Sequence, residues 1–439
     1  MYKRQTLVHT PCKRGTALAE RDGFVAMYRL EGGRPLRGEL AVQGSKNSCL
    51  PILAAALLVG GKVVLHRCPD LADTRSMAAI LEYLGCRVLR SGGEWEVDTS
   101  CAYYRPLPAA LTHSLRSSSI FMGALLGRFG RVKAAYPGGC DLGRRPLDYH
   151  LSGFERLGAV CRANGSIEIE GPRLAGAVIE LPFPSVGATQ NLLLAAVAAQ
   201  GETVLRGAAR EPEVVDLIQF LTACGAQIAG MGTGELKIQG GRPLHGGEYT
   251  VMVDRIAAAT YLCMGALCGG EIALTNTTPM TLYNILPLFQ KMGCELALRY
   301  DRVGLRSTGE LRGLGGLVTA PHPGLPTDIQ PLLTAVLAAA QGETEMRETV
   351  FENRFAYLPQ LRKLGAEVEL KSPRLARIPG GSRYTGGRAE AVDLRGGAAL
   401  CIAALRAGQS EIGGIEHILR GYEQLDRAVQ ALGGRMEKV

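Results

Sequence analysis

Aromatic side chains are scarce in this chain, 5% of 439 residues with Trp95 as the single tryptophan, so any large core has to be built from Leu, Ala, Val and Ile. There is no Lys/Arg block of the kind that marks a polyanion-binding tail, and no basic stretch interleaved with aromatics, which argues against a nucleic-acid partner. No apolar run reaches the roughly 20 residues of a membrane span, so no membrane association is expected. None of the 12 cysteines forms a CxxC pair or stands at zinc spacing from a histidine, so no metal site is expected. Cys49, Cys263 and Cys401 fall inside apolar helical runs, where a reduced thiol packs as a small hydrophobe. That usage fits a reducing, cytoplasmic setting.

What is present is mild positive charge and abundant glycine. The formal charge is +8. Lys3, Arg4, Lys13, Arg14 and Arg21 against Glu20 and Asp22 put +3 of it in residues 1–26 and leave +5 for the remainder. Residues 1–26 lack an apolar segment of signal-peptide type and read as a disordered leader, with Met27 opening the first strand. The remaining charge suits a small anionic substrate. The length exceeds what one core sustains, so two domains are expected.

The 57 glycines are regularly placed. A helix-closing segment recurs as LEYLGCRV, FERLGAVC, LTACGAQI, FQKMGCEL, LRKLGAEV and VQALGGRM, with Gly85, Gly158, Gly225, Gly293, Gly365 and Gly433 spaced 67 to 73 residues apart. Each follows an amphipathic stretch and precedes a β-like run, the order expected of a helix ended by glycine and then a strand. Upstream of most lies a second, almost wholly apolar helix such as SCLPILAAALLVGG or DIQPLLTAVLAAAQGE, which should be buried. Six units divide as three and three: one domain over 46–252, another from 27–45 plus 253–439. The opening strand is expected to pair with the last unit. A linear solenoid is the alternative, disfavoured because the loops differ so much between units.

Those loops hold the reactive residue types. Gly44-Ser45-Lys46-Asn47 feeds a buried helix, and free N–H groups beside a lysine make an anion site, although a capped helix with a solvated lysine reads the same way. YPGGCDLGRRPLDYH carries Cys140 in a glycine-rich loop beside Arg144 and Arg145, a setting that lowers a thiol pKa. Arg116 near a helix start is either an anion ligand or a surface residue. Ser185, Val186 and Gly187 start another helix. Asp328, in LPTDIQ, would by default cap a helix, yet its place in the unit matches that of Lys46 and puts both toward one cleft. Arg354, Arg395 and Arg420 occupy loops of later units. Several arginines converging on one crevice imply a ligand with several phosphates or carboxylates.

Taken together, GSKNSCLPILAAALL, PGGCDLGRRPLDYH, SVGAT, AAREPEVVD, APHPGLPTDIQ, ETVFENRF and LRGYEQ resemble the UDP-N-acetylglucosamine 1-carboxyvinyltransferase family, in order and from about Met27 to Val439. The resemblance implies transfer of the enolpyruvyl group of phosphoenolpyruvate to UDP-N-acetylglucosamine, the first committed step of peptidoglycan synthesis. It implies an α/β fold of two inside-out α/β barrels with three repeats each, and no cofactor. Lys46 and Asn47 look like the phosphoenolpyruvate contacts. Cys140 resembles the loop cysteine that acts as general acid, and Asp328 the base on the sugar hydroxyl. Arg116, Arg145, Pro146, Leu147, Asp148 and Tyr149 look like sugar-nucleotide or phosphate contacts. Ser185, Val186 and Gly187 match a uridine-diphosphate segment, and Val350 a backbone contact. Arg354, Arg395 and Arg420 look like further anion ligands. The sequence departs from some relatives at Phe183 and Ala72, where a lysine can stand, which bears on affinity more than on reaction class. The alternatives are a non-catalytic sugar-nucleotide-binding paralogue and the sister enzyme acting on shikimate 3-phosphate, which usually lacks a reactive loop cysteine.

Overall fold

The computed structural model describes residues 26–113, 115–138 and 147–439; Cys140, Arg145, Pro146 and residues 1–25 of the expected leader lie outside them. Among the described residues the strands form six separate sheets, five of four strands and one of three, and no sheet closes on itself. Each accompanies one mostly apolar helix: Lys46–Val59, Phe121–Phe129, Val186–Ala198, Arg255–Cys268, Gln330–Ala339 and Leu394–Arg406. Such helices can only be accommodated inside. The first three pack on one another, and so do the last three. The sheets lie outside them, as the alternating burial of strand Glu235–Gly240 displays.

Two separate apolar cores result. One spans Cys49 to Val251; the other joins Tyr28–Val42 to Val253–Met436. Cys49, Cys263 and Cys401 are fully buried in them and form no disulfide.

The six recurrent glycines all take positive φ, from 80° at Gly433 to 104° at Gly293. Each ends an outer helix in the left-handed conformation, where a side chain would be strained. The sequence period therefore marks one repeated backbone event.

The opening segment departs from expectation. Tyr28–Glu31 does insert between Gln409–Gly413 and Arg435–Lys438 of the last unit. Leu36–Ala41, however, runs parallel to Gly270–Thr275 of the fourth unit. The reason is an edge left open: in the five four-stranded sheets a parallel strand lies beside a central one, and the fourth unit has none of its own to supply. Gly247–Thr250 does the same for Lys62–His66 of the first unit. The two chain crossings that follow are hydrogen-bonded to each other, Ser45 N–H to Met252 carbonyl at 2.8 Å and Asp254 N–H to Gln43 carbonyl at 3.0 Å.

Candidate active site

The N-terminal ends of the inner helices meet at a cleft of about 560 Å³ between the two cores. Every described candidate residue lines it: Lys46, Asn47, Arg116, Leu147, Asp148, Tyr149, Ser185, Val186, Gly187, Asp328, Val350, Arg354, Arg395 and Arg420. Local chemistry explains why the ends face it. Ser45 and Ser185 cap their helices alike, each hydroxyl accepting from the N–H three residues on at 3.3 Å. Asp254 and Asp393 cap the fourth and sixth through pairs of N–H bonds of 2.9–3.0 Å. The caps satisfy one or two first-turn amides of each of these helices and fix its start at the cleft wall.

Two carboxylates organise the cations. The Lys46 ammonium lies 2.5 Å from Asp73, and Arg420, from the other core, reaches the same carboxylate at 2.9 Å. Lys46 is buried, which pushes its pKa down; Asp73 opposes that, while Arg395 and Arg420 add to it. Asp328 lies 2.7 Å from Arg354 and 3.3 Å from Arg395. Burial alone would raise its pKa, but Arg395, Arg354 and Lys46 hold it well below the usual carboxylate range. Each carboxylate thus serves two cations, leaving one excess positive charge at each.

Asp328 does not cap a helix. It sits in the 3₁₀ turn Thr327–Ile329 without a capping bond, ahead of the helix Gln330–Ala339. Arg354 fixes that turn by donating to the Thr327 carbonyl at 2.9 and 2.8 Å. Arg395 is held by Tyr422 at 3.1 Å, whose hydroxyl lies 2.7 Å from Thr260. Arg116 opens another 3₁₀ turn, Arg116–Ile120. The Val350 N–H donates to Glu348 at 2.8 Å, so only its carbonyl is left to meet a ligand.

Several lining residues escaped sequence reasoning. Asp73 reads as an ordinary first-turn acid of helix Ala72–Tyr83. Arg255 and Glu213 form a buried bidentate pair at 2.9 and 3.1 Å, for which AAREPEVVD was the available signal. His150 follows the Cys loop directly. Phe183, standing where some relatives have lysine, lines the cleft with 40% of its surface exposed. Ala72 does not line it. No three His, Cys, Asp or Glu side chains among the described residues converge as a metal site would require, and no helix among them is long and apolar enough to cross a membrane.

Residues 30–428 match the family model described as EPSP synthase (3-phosphoshikimate 1-carboxyvinyltransferase). Among curated relatives, UDP-N-acetylglucosamine 1-carboxyvinyltransferase 2 of Caldanaerobacter subterraneus subsp. tengcongensis is 42% identical over 414 residues, covering 94% of this chain and 99% of the relative. The protein of the same name from Carboxydothermus hydrogenoformans is 42% identical with the same coverage. Among solved structures, the enolpyruvyl transferase NikO from Streptomyces tendae superposes with a TM-score of 0.85 at 27% identity, covering 94% of this chain and 99% of that one. An EPSP synthase from Acinetobacter baumannii superposes at 0.72 and 18% identity over 94% of this chain and all of its own, which speaks to fold alone.

Proposed function

The chain belongs to the UDP-N-acetylglucosamine 1-carboxyvinyltransferase family, and we propose that, as a transferase of that family, it moves the enolpyruvyl group of phosphoenolpyruvate to the 3′-hydroxyl of UDP-N-acetylglucosamine, releasing phosphate. In this reading the two cores are two domains, 46–252 and 27–45 with 253–439. Each is an inside-out barrel of three repeats, and the cleft between them closes over both substrates. The setting is the cytoplasm and the first committed step of peptidoglycan synthesis.

The observation that carries the reading is the pairing of Asp328 with Arg354 and Arg395 in the same cleft as the Lys46–Asp73–Arg420 group. An ionised carboxylate is ready to accept a proton, and the surplus cations suit an anion with phosphate and carboxylate groups. The sugar hydroxyl oxygen bonds to C2 of phosphoenolpyruvate while its proton passes to Asp328. The Cys140 thiol delivers a proton to C3. In the second step the Cys140 thiolate takes a proton back from C3, the bond from C2 to the phosphate oxygen breaks, and the leaving phosphate takes the proton held by Asp328. Lys46 and Asn47 hold phosphoenolpyruvate. Arg116, Arg145, Pro146 to Tyr149 and Ser185 to Gly187 hold the sugar nucleotide, and Val350 adds a backbone contact. Arg354, Arg395 and Arg420 stabilise anionic charge and closure. Water has to be excluded while C2 carries cationic character, as C3 gains its proton in the first step and as phosphate leaves in the second, hence a closing cleft. The scheme uses acid, base and fixed cations, with no metal or organic cofactor.

Phosphate release from phosphoenolpyruvate tests this. It should require UDP-N-acetylglucosamine, fall strongly in Cys140→Ala, and be lost progressively on treatment with the epoxide fosfomycin, with the adduct on Cys140. Release driven by shikimate 3-phosphate instead would assign the sister activity.

A further inference from the structure

His150 lines the cleft, is only 6% exposed, and has no part in the scheme above. Its hydrogen bonding is fixed by Asn191. The Asn191 side-chain oxygen accepts the Gly123 N–H at 2.7 Å, while its nitrogen lies 3.3 Å from the Gly187 carbonyl and 3.0 Å from His150 Nδ1. A backbone N–H needs an acceptor and a backbone carbonyl needs a donor, so the amide has one orientation only. Its NH₂ group donates to His150 Nδ1. Nδ1 is therefore bare, and the ring proton sits on Nε2. Burial chiefly, with Arg116 adding to it, lowers the His150 pKa to about 4, so near pH 7 this N–H is a neutral donor.

The ring edge meets the first turn of helix Val186–Ala198. A Cβ built on Gly187 would stand 3.4 Å from Cε1 and 3.6 Å from Nε2. Among the described residues no group accepts from Nε2. The N–H groups of Val186 and Gly187 likewise meet no acceptor there, whereas that of Ala188 is satisfied by Ser185. One corner of the cleft thus holds two free backbone donors, one neutral ring donor, and the nearby charge of Arg116. Donors of this kind surround an anionic oxygen.

We propose that His150 binds the sugar nucleotide, donating Nε2–H to a diphosphate oxygen seated on the first turn of helix Val186–Ala198, and that Asn191 is the positioning residue that sets its tautomer. The proposal rests on the sugar-nucleotide reading of the cleft and adds a recognition residue to it. Because the donor is uncharged and pre-oriented, it contributes direction where Arg116 contributes charge. Glycine at 187 keeps the approach open.

Two measurements on the full chain test it. In ¹⁵N-histidine-labelled wild type, one histidine should display a protonated Nε2 and a bare Nδ1, and its Nε2 resonance should shift on saturation with UDP. By calorimetry, His150→Phe should weaken UDP-N-acetylglucosamine binding by about tenfold or more, and His150→Gln, which keeps an N–H donor, should recover part of the loss. Asn191→Asp, whose carboxylate would draw the proton to Nδ1, should weaken binding while His150 remains. A bare Nε2 in wild type, an Nε2 resonance unmoved by saturating UDP, or unchanged affinity in folded His150→Phe would overturn the proposal. Failure of wild type to bind UDP-N-acetylglucosamine at all would instead overturn the sugar-nucleotide reading beneath it. The resonances are read on wild type, with those of His150 assigned by their loss in His150→Gln, so a binding defect caused by misfolding of a variant does not protect the idea.

Discussion

A side chain that takes a proton during turnover must enter the reaction without one. In the proposed scheme Asp328 is that side chain, and it is ionised because Arg395, Arg354 and Lys46 outweigh its burial. Asp328→Asn is expected to lower kcat by about 10² to 10⁴, the usual range for a lost acid–base group, with sugar-nucleotide affinity by calorimetry little changed. Lys46 is the converse: burial pulls its pKa down, and the Asp73 carboxylate is what opposes that. Asp73→Asn removes the opposing group, so Lys46 loses its proton at a lower pH. The alkaline limb of kcat/KM for phosphoenolpyruvate should then move to lower pH; an unmoved limb would separate Lys46 from that ionisation. His150 links pH to stability. Its folded pKa of about 4 lies below the 6.5 of an ordinary imidazole, so only the unfolded chain takes up the proton between those values. Stability attributable to it is complete above about pH 6.5 and declines as pH falls toward 4, by on the order of 3 kcal/mol. Urea midpoints should fall less steeply over that window in His150→Gln than in wild type.

At the scale of elements, the repeated unit depends on how its outer helix ends. All six closing glycines have positive φ, but their surroundings differ. At Gly293 an added Cβ would meet nothing nearer than 4.0 Å, whereas at Gly365 it would lie 2.6 Å from the Arg383 carbonyl oxygen. Gly293→Ala should therefore cost about 1–2 kcal/mol, the strain of a left-handed alanine. Gly365→Ala should cost more, since backbone must also shift. Thermal or urea denaturation of the two variants side by side checks the order. The period and the glycines were legible in the sequence because helix termination is local. The spacing carried no information on what stands opposite each turn.

Across the whole molecule, two cores are joined by two paired crossings and by a few polar contacts over the cleft. Arg420 reaches Asp73, and the Glu211 side chain accepts the His322 N–H at 3.1 Å. Trp95 is 1% exposed and lies in only the first core. Its fluorescence should report unfolding of residues 46–252 alone, while circular dichroism reports both halves. Urea midpoints from the two signals are expected to differ without ligand and to converge with UDP-N-acetylglucosamine, which would couple the halves by binding. Coincident midpoints in the free protein would mean that the crossings and cleft contacts already make one cooperative unit.

The sequence by itself determined the spacing of the six closing glycines, the buried helices and part of the set of polar residues brought to one cleft. Each depends on neighbours within a turn or a strand, and the helix starts carried their side chains along. Tertiary structure alone decided that the opening segment splits between the sixth and fourth units, because an open sheet edge exists only once the sheet has formed. It alone turned Asp328 from a plausible cap into the partner of two arginines, and Asp73 from a first-turn acid into the bridge between Lys46 and Arg420. It also set the His150 tautomer through Asn191, 41 residues away. Charge pairing and proton placement depend on distances between side chains far apart in the chain, and no local pattern of residues encodes those distances.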